Sequence, residues 1–323
     1  MKRREFIGLA ASTAAWPLAA WAQQVSPPKV GYVWIGKRGS DDISGAGLRQ
    51  GLSDLGYQLG QNLVLEERYA NGDRDKLLVL IDELLAIKVK VLVTVGTFAG
   101  LAARRATTTV PIVGASGDAV GSGLAASLKR PGGNFTGVSI LSNYYSAKWL
   151  QLMKETLPKL QRVAVLWNPE SPGVAVEVEQ MRTAARALGL DVTVVPGRPK
   201  EIDESFAAIA SGGFDCLAVT TDPSLEEQTP RIITFAAEHR LPALYPFSNA
   251  VQGGGLMSYS TDLFDIWRRA ASHVDRILKG ENPAEIPIEQ PTRVLLKINL
   301  KTAHVLGISI PQTLLAAADE VIE

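Results

Sequence analysis

Short runs of aliphatic and β-branched residues alternate along the chain with longer stretches in which apolar positions recur every three or four residues. Residues 30–35, 63–69, 91–95 and 112–113 predict strands, and 46–55, 76–87 and 98–105 predict helices between them. The run Val91, Leu92, Val93, Val95 is apolar on both alternating faces, as expected of a parallel strand buried on both sides. The same alternation restarts further on, with strands at 163–167, 192–195, 216–220 and 243–245 and helices at 146–157, 174–188, 202–210 and 225–239. Asp262 opens a helix that reaches Leu278, and a last strand at 293–298 precedes a helix at 300–306. Two such sets of β-α units predict an α/β protein with two doubly wound parallel-sheet lobes.

Turn-forming clusters punctuate this pattern. Arg130-Pro131-Gly132-Gly133-Asn134 and Gly253-Gly254-Gly255 each precede a short extended run, at 135–141 and 256–259, and a proline-spaced run follows at 286–291. These runs are the expected crossovers between lobes. Residues 23–138 with 256–284 then make the first lobe, and 139–255 with 285–323 the second.

The first 22 residues stand apart. Lys2-Arg3-Arg4 precede an apolar run that ends in Ala20-Trp21-Ala22, the order of an export signal removed after Ala22. Arg3-Arg4-Glu5-Phe6-Ile7 is similar to a twin-arginine signal, with Lys2 where Ser or Thr is usual, so the export route stays open. Removing the three basic and one acidic residues of this segment from 33 of each leaves 30 against 32, which gives no electrostatic reason to expect nucleic acid. A single cysteine, Cys216 in an apolar run, excludes an internal disulfide and a cysteine-rich metal site and reads as a core thiol.

Candidate chemistry sits where the predicted strands end. Gly96-Thr97 closes one strand and opens the helix carrying Phe98, so backbone N–H groups at that helix start suit an anion, with Thr97 as N-cap. Gly114-Ala115-Ser116-Gly117-Asp118 follows the neighbouring strand and adds a hydroxyl and a carboxylate at the same sheet edge. In the second lobe Asn168, Ser171, Thr221 and Asp222 occupy the corresponding loops. An anion site beside a carboxylate suits a zwitterion such as an amino acid, with Asp118 or Asp222 taking the amine. Each residue also has a plain turn-forming or helix-capping role. Trp34, Phe247, Tyr144 and Tyr145 are aromatic candidates to cover the ligand's body. Glu226, Glu227 and Arg231 read as an ordinary solvated helix face.

Enzyme readings find little support. The three histidines, His239, His273 and His304, fall on predicted helices with apolar or basic neighbours, and no G-x-S-x-G, H-E-x-x-H or P-loop motif is present. Gly45, Gly47 and Gly51 lie too far past the first strand for a dinucleotide turn and suit close packing between helix and strand. No catalytic residue, metal or cofactor is expected.

Several longer stretches carry a family resemblance. Leu48-Arg49-Gln50-Gly51-Leu52 with Leu55-Gly56-Tyr57, residues 106–113 (ATTTVPIV), residues 130–138 (RPGGNFTGV), Gly254-Gly255-Leu256-Met257-Ser258-Tyr259 and residues 298–303 (INLKTA) resemble the substrate-binding proteins of ABC transporters, in the family that includes tryptophan-type amino-acid binders. The resemblance covers nearly all of the chain after residue 22. It implies the type I periplasmic binding-protein fold, a hinge that closes on a small solute, and delivery to a membrane permease. It further implies that the loops at Trp34, Thr97, Ser116–Asp118, Asn168, Thr221-Asp222 and Phe247 line the cleft. A ligand-sensing receptor lobe is the alternative use of the same architecture, and an exported enzyme a more distant one.

Overall fold

A computed structural model describes residues 26–39, 42–140, 142–291 and 293–323. The expected export segment lies outside the described residues. The chain begins with strand β1 (Lys29–Trp34), helix α1 (Ile43–Asp54), β2 (Val64–Tyr69), α2 (Arg74–Ala86), β3 (Val91–Val95), α3 (Thr97–Ala106), β4 (Ile112–Ser116) and β5 (Phe135–Ser139). Its five strands form an all-parallel sheet in the order β2-β1-β3-β4-β5. β3 and β4 are buried along their whole length, whereas the edge strand β2 is half-buried and carries Glu66, Glu67 and Arg68. That charged edge discourages pairing with another chain.

The second set runs α4 (Ser142–Thr156), β6 (Arg162–Trp167), α5 (Val174–Leu188), β7 (Asp191–Pro196), α6 (Ile202–Ser211), β8 (Cys216–Val219), α7 (Pro223–Glu227), α8 (Thr229–Glu238), β9 (Ala243–Tyr245), α9 (Ser248–Gln252), β10 (Met257–Ser260), α10 (Leu263–Leu278), β11 (Leu295–Asn299), α11 (Leu300–Leu306), α12 (Gln312–Ala317) and β12 (Glu320–Ile322). Seven strands order as β12-β11-β10-β9-β8-β6-β7, with β10 and β11 antiparallel. The segment expected to be one helix at 225–239 is two, because Pro230 lacks the N–H that a continuous helix needs and sits in the first turn of α8.

Two of the expected crossovers are strands. Residues 135–139 are β5 of the first sheet, and 257–260 are β10 of the second, paired with β9 and β11. The block 256–284 expected in the first lobe thus begins with a strand of the second sheet. The chain passes between the sheets after β5, after β10 and again before β11, and the stretch before β11 lies beside β5, where Val138 pairs with Glu289. The return after β10 carries α10 back across the first sheet, where it packs on α1.

That helix pair accounts for the glycines of α1. A Cβ on Gly47 would stand 2.4 Å from the Phe264 carbonyl, and one on Gly51 2.1 Å from that of Arg268. The glycines let two helices approach backbone to backbone, and the neighbour is α10, not the strand expected from sequence. Cys216 is buried in β8, and burial raises its thiol pKa well above the ordinary range, as expected of an inert core thiol.

Candidate functional site

The C-terminal ends of both sheets face each other across a cleft, and the β-α loops there meet. Gly96 opens α3 in the first lobe with a φ of 90°, a conformation suited to glycine, and supplies no side-chain cap. A Cβ at this position would come within 2.7 Å of Pro223 Cγ in the second lobe. Thr97 is therefore the first residue of α3 and not its N-cap. Its hydroxyl accepts a bond from the Gly117 N–H at 3.4 Å, tying the loops after β3 and β4 together. Two further contacts span the cleft: Lys37 pairs with Glu227 at 3.0 Å, and Arg74 donates to the Glu170 carbonyl at 2.7 Å.

Between the lobes lie two cavities. The inner one, of about 40 Å³, is lined by Gly96, Thr97, Gly117, Ser171, Thr221 and Phe247 among others. It has room for a small polar group or water. The outer one, of about 600 Å³, lies between the β1–α1 loop and the α7, α8 and α9 region, bounded by Trp34, Lys37, Ile43, Pro230, Ile233 and Asn249. That volume is in the range of small-molecule sites. Glu226 borders both.

The residues singled out from sequence separate into distinct groups here. Thr97, Thr221 and Phe247 line the inner cavity and Trp34 the outer. Trp34 is 3% exposed and packs edge-on to Tyr69 at 6.3 Å, and its indole N–H has no hydrogen-bond partner among the described residues. The Ser116 hydroxyl is likewise buried and unpaired. Phe98 is half-buried, with the Arg74 guanidinium 4.5 Å above its ring. Tyr145 is buried against Trp149 and Tyr259, in packing positions away from both cavities.

The carboxylates expected to take an amine are committed elsewhere. Asp118 accepts the N–H groups of Val120 at 3.1 Å and Gly121 at 2.8 Å, closing a turn, and borders neither cavity. Asp222 caps α7 by accepting from Ser224 and Leu225 at 2.9 and 3.1 Å, and also from the Asn168 amide at 3.3 Å. The Thr221 N–H and hydroxyl both turn to Glu177, at 3.0 and 3.5 Å.

Two acidic residues at the cleft escaped the sequence reading. Asp42 is 1% exposed, caps α1 through the Gly45 N–H at 2.8 Å, and accepts the Tyr32 and Tyr69 hydroxyls at 2.7 and 2.8 Å. An Asp directly before a helical stretch was the available signal for the cap, but its tyrosine partners come from β1 and β2. Burial, reinforced by Asp42, raises the Tyr32 phenol well above its ordinary pKa. Glu226, expected on a solvated helix face, is instead half-buried between the lobes. Burial first, then the nearby charges of Asp42 and Asp222, push its carboxyl up to about 8.

Two α/β lobes linked by three chain crossings, with paired cavities at the facing strand ends, define a two-lobed solute-binding protein of the type I periplasmic fold. The chain belongs to the ABC transporter substrate-binding protein family, whose model matches residues 32–322. It is 26% identical over 281 residues to a tyrosine-binding protein of Clostridioides difficile (strain R20291), an alignment covering 86% of this chain and 80% of that one. Its structure is similar to a conserved domain protein from Vibrio cholerae, with TM-score 0.85 and 28% identity over 91% of this chain and 99% of the other. It is also similar to an ABC domain from Streptococcus pneumonia in complex with L-Trp, with TM-score 0.84 and 26% identity over 92% of this chain and all of the other.

Proposed function

We propose that this protein is the extracytoplasmic solute-capturing component of an ABC importer and that it takes an amino acid with an aromatic side chain between its lobes. The observation that carries the reading is the outer chamber of about 600 Å³. It combines an indole, the apolar walls of Ile43, Pro230 and Ile233, and polar groups at Glu226 and Asn249, the mixture an amino acid with a large side chain needs. The tyrosine and tryptophan named for two relatives support the same chemical class.

The solute enters between the separated lobes, and rotation about the three chain crossings brings Gly96 against Pro223 and Lys37 to Glu227. Closure buries the solute because the closed arrangement supplies contacts that the open one lacks, a population shift set by differential affinity. A membrane permease then reads the closed state. The basic and apolar residues before position 23 supply the export segment, which leaves after Ala22.

A thermal-shift screen of the chain from residue 23 onward against the standard amino acids and amine-free aromatic acids tests this reading. A ligand at a hundred times its dissociation constant adds about 2.7 kcal/mol to stability. The expected result is a shift of several degrees with L-tyrosine or L-tryptophan. No shift with any amino acid would overturn the assignment.

A further inference from the structure

Glu226 is the one residue among those described that borders both cavities. Its carboxylate has no hydrogen-bond or ion-pair partner among the described residues. The neighbouring carboxylates differ, because Asp42 is satisfied by two tyrosine hydroxyls and the Gly45 N–H, and Asp222 by Ser224, Leu225 and Asn168. Trp34 borders the same outer chamber with its buried indole N–H unpaired, and the Asn249 side-chain oxygen there is buried and unpaired as well. A carboxyl shared by two cavities and without a partner among the described residues is incomplete without a polar ligand.

We propose that Glu226 receives the cationic nitrogen of the solute and gives up its own proton on doing so, so that capture of an amine-bearing ligand depends on pH across the neutral range. The proposal rests on the function proposed above and adds to it the group that reads the amine.

Every charged or titratable group facing Glu226 bears on this step. Asp42 approaches from the start of α1 and Asp222 from the start of α7, and both disfavour a further negative charge at Glu226, while the Tyr32 phenol of β1, held neutral by burial, adds no charge. Lys37 borders the outer chamber but pairs with Glu227, and Arg38 pairs with Glu67, so neither rim cation is free to neutralise Glu226. In the empty protein at pH 7 the carboxyl therefore holds its proton, consistent with its rise to about 8. A ligand ammonium in the same place favours the ionised form, and the proton passes to the buffer. Affinity then rises as pH rises towards 8 and falls again once the ligand's own ammonium group loses its proton.

Isothermal titration calorimetry at pH 6 and pH 8 tests the step, in two buffers of different ionisation enthalpy. The probes are L-tyrosine, L-tryptophan and their amine-free counterparts 3-(4-hydroxyphenyl)propanoate and indole-3-propanoate. The amino acids are expected to bind roughly fifty-fold more tightly at pH 8 than at pH 6, with net proton release at pH 7. The amine-free acids should show no such gain. Glu226→Gln keeps the side-chain shape and should flatten the amino-acid profile, with folding confirmed by circular dichroism. Equal amino-acid affinity at both pH values, or an unchanged slope in Glu226→Gln, overturns the proposal and leaves the solute-capture reading standing. If none of the four compounds binds at either pH, the reading and the proposal fall together.

Discussion

In the first lobe the strand β3 passes into α3 through Gly96, and in the second lobe β8 passes into α7 through Asp222. Both are strand-to-helix loops at the cleft, and their ends are finished in opposite ways. Gly96 contributes no side chain, so the first-turn N–H groups of α3 receive no side-chain cap. Asp222 closes its own helix start and holds Asn168 as well, which leaves that loop internally satisfied. A capping carboxylate at a cleft thus uses up the donors that an anionic ligand group would need, and the same carboxylate has little left for an amine. The loop at Gly96 leaves its helix start without a side-chain cap, while the loop at Asp222 commits its carboxylate to its own helix and to Asn168.

The largest test of this contrast is Gly96→Val. Its backbone conformation is strained for any residue with a Cβ, by about 1–3 kcal/mol, and the added atoms would strike Pro223 where the lobes meet. Affinity for L-tyrosine or L-tryptophan is expected to fall more than ~100-fold, about 3 kcal/mol, by calorimetry. Wild-type affinity in this variant would mean that the lobes do not close at this contact.

A smaller effect is expected at the satisfied loop. Asp222→Ala removes a helix cap and leaves the buried Asn168 amide without its acceptor, so urea unfolding should show a loss of roughly 2–3 kcal/mol. Asp222→Asn retains acceptor geometry and should recover at least half of that. A loss below ~0.5 kcal/mol for the alanine variant would remove the distinction between the two loops.

The smallest effect belongs to Asp118, which sequence reasoning placed beside Thr97 as a ligand group. Asp118→Ala breaks a turn on a half-exposed loop and should cost about 0.5–1 kcal/mol of stability, with amino-acid affinity unchanged within twofold. A tenfold loss of affinity would return Asp118 to the binding site.

Hydrophobic periodicity located nearly all the strands and helices, because buried strands and amphipathic helices each impose their own spacing on apolar residues. It did not indicate α12 or β12, whose six and three residues are too short to show a period. It also mistook β5 and β10 for crossovers, because a short extended run looks alike whether it pairs within a sheet or leaves it. Of the residues singled out by their position after predicted strands, Trp34, Thr97, Thr221 and Phe247 border the cavities. Glu226 and Glu227 were both misread as a solvated face, because nothing local distinguishes them from an exposed charge such as Arg231, whereas in the fold Glu226 lies between the lobes and Glu227 pairs with Lys37 across the cleft.

The amino-acid sequence by itself determined the alternation of strands and helices, the two lobes and the family, since each depends on local spacing or on contiguous motifs. Tertiary structure decided which carboxylates at the cleft are committed to partners among the described residues. Asp42 is satisfied by tyrosines from β1 and β2, Asp222 by Asn168 from the end of β6, and Glu226 has no partner among the described residues. Those relations join residues far apart in the chain, and both burial and electrostatic repulsion depend on distance in space, which local sequence patterns do not encode.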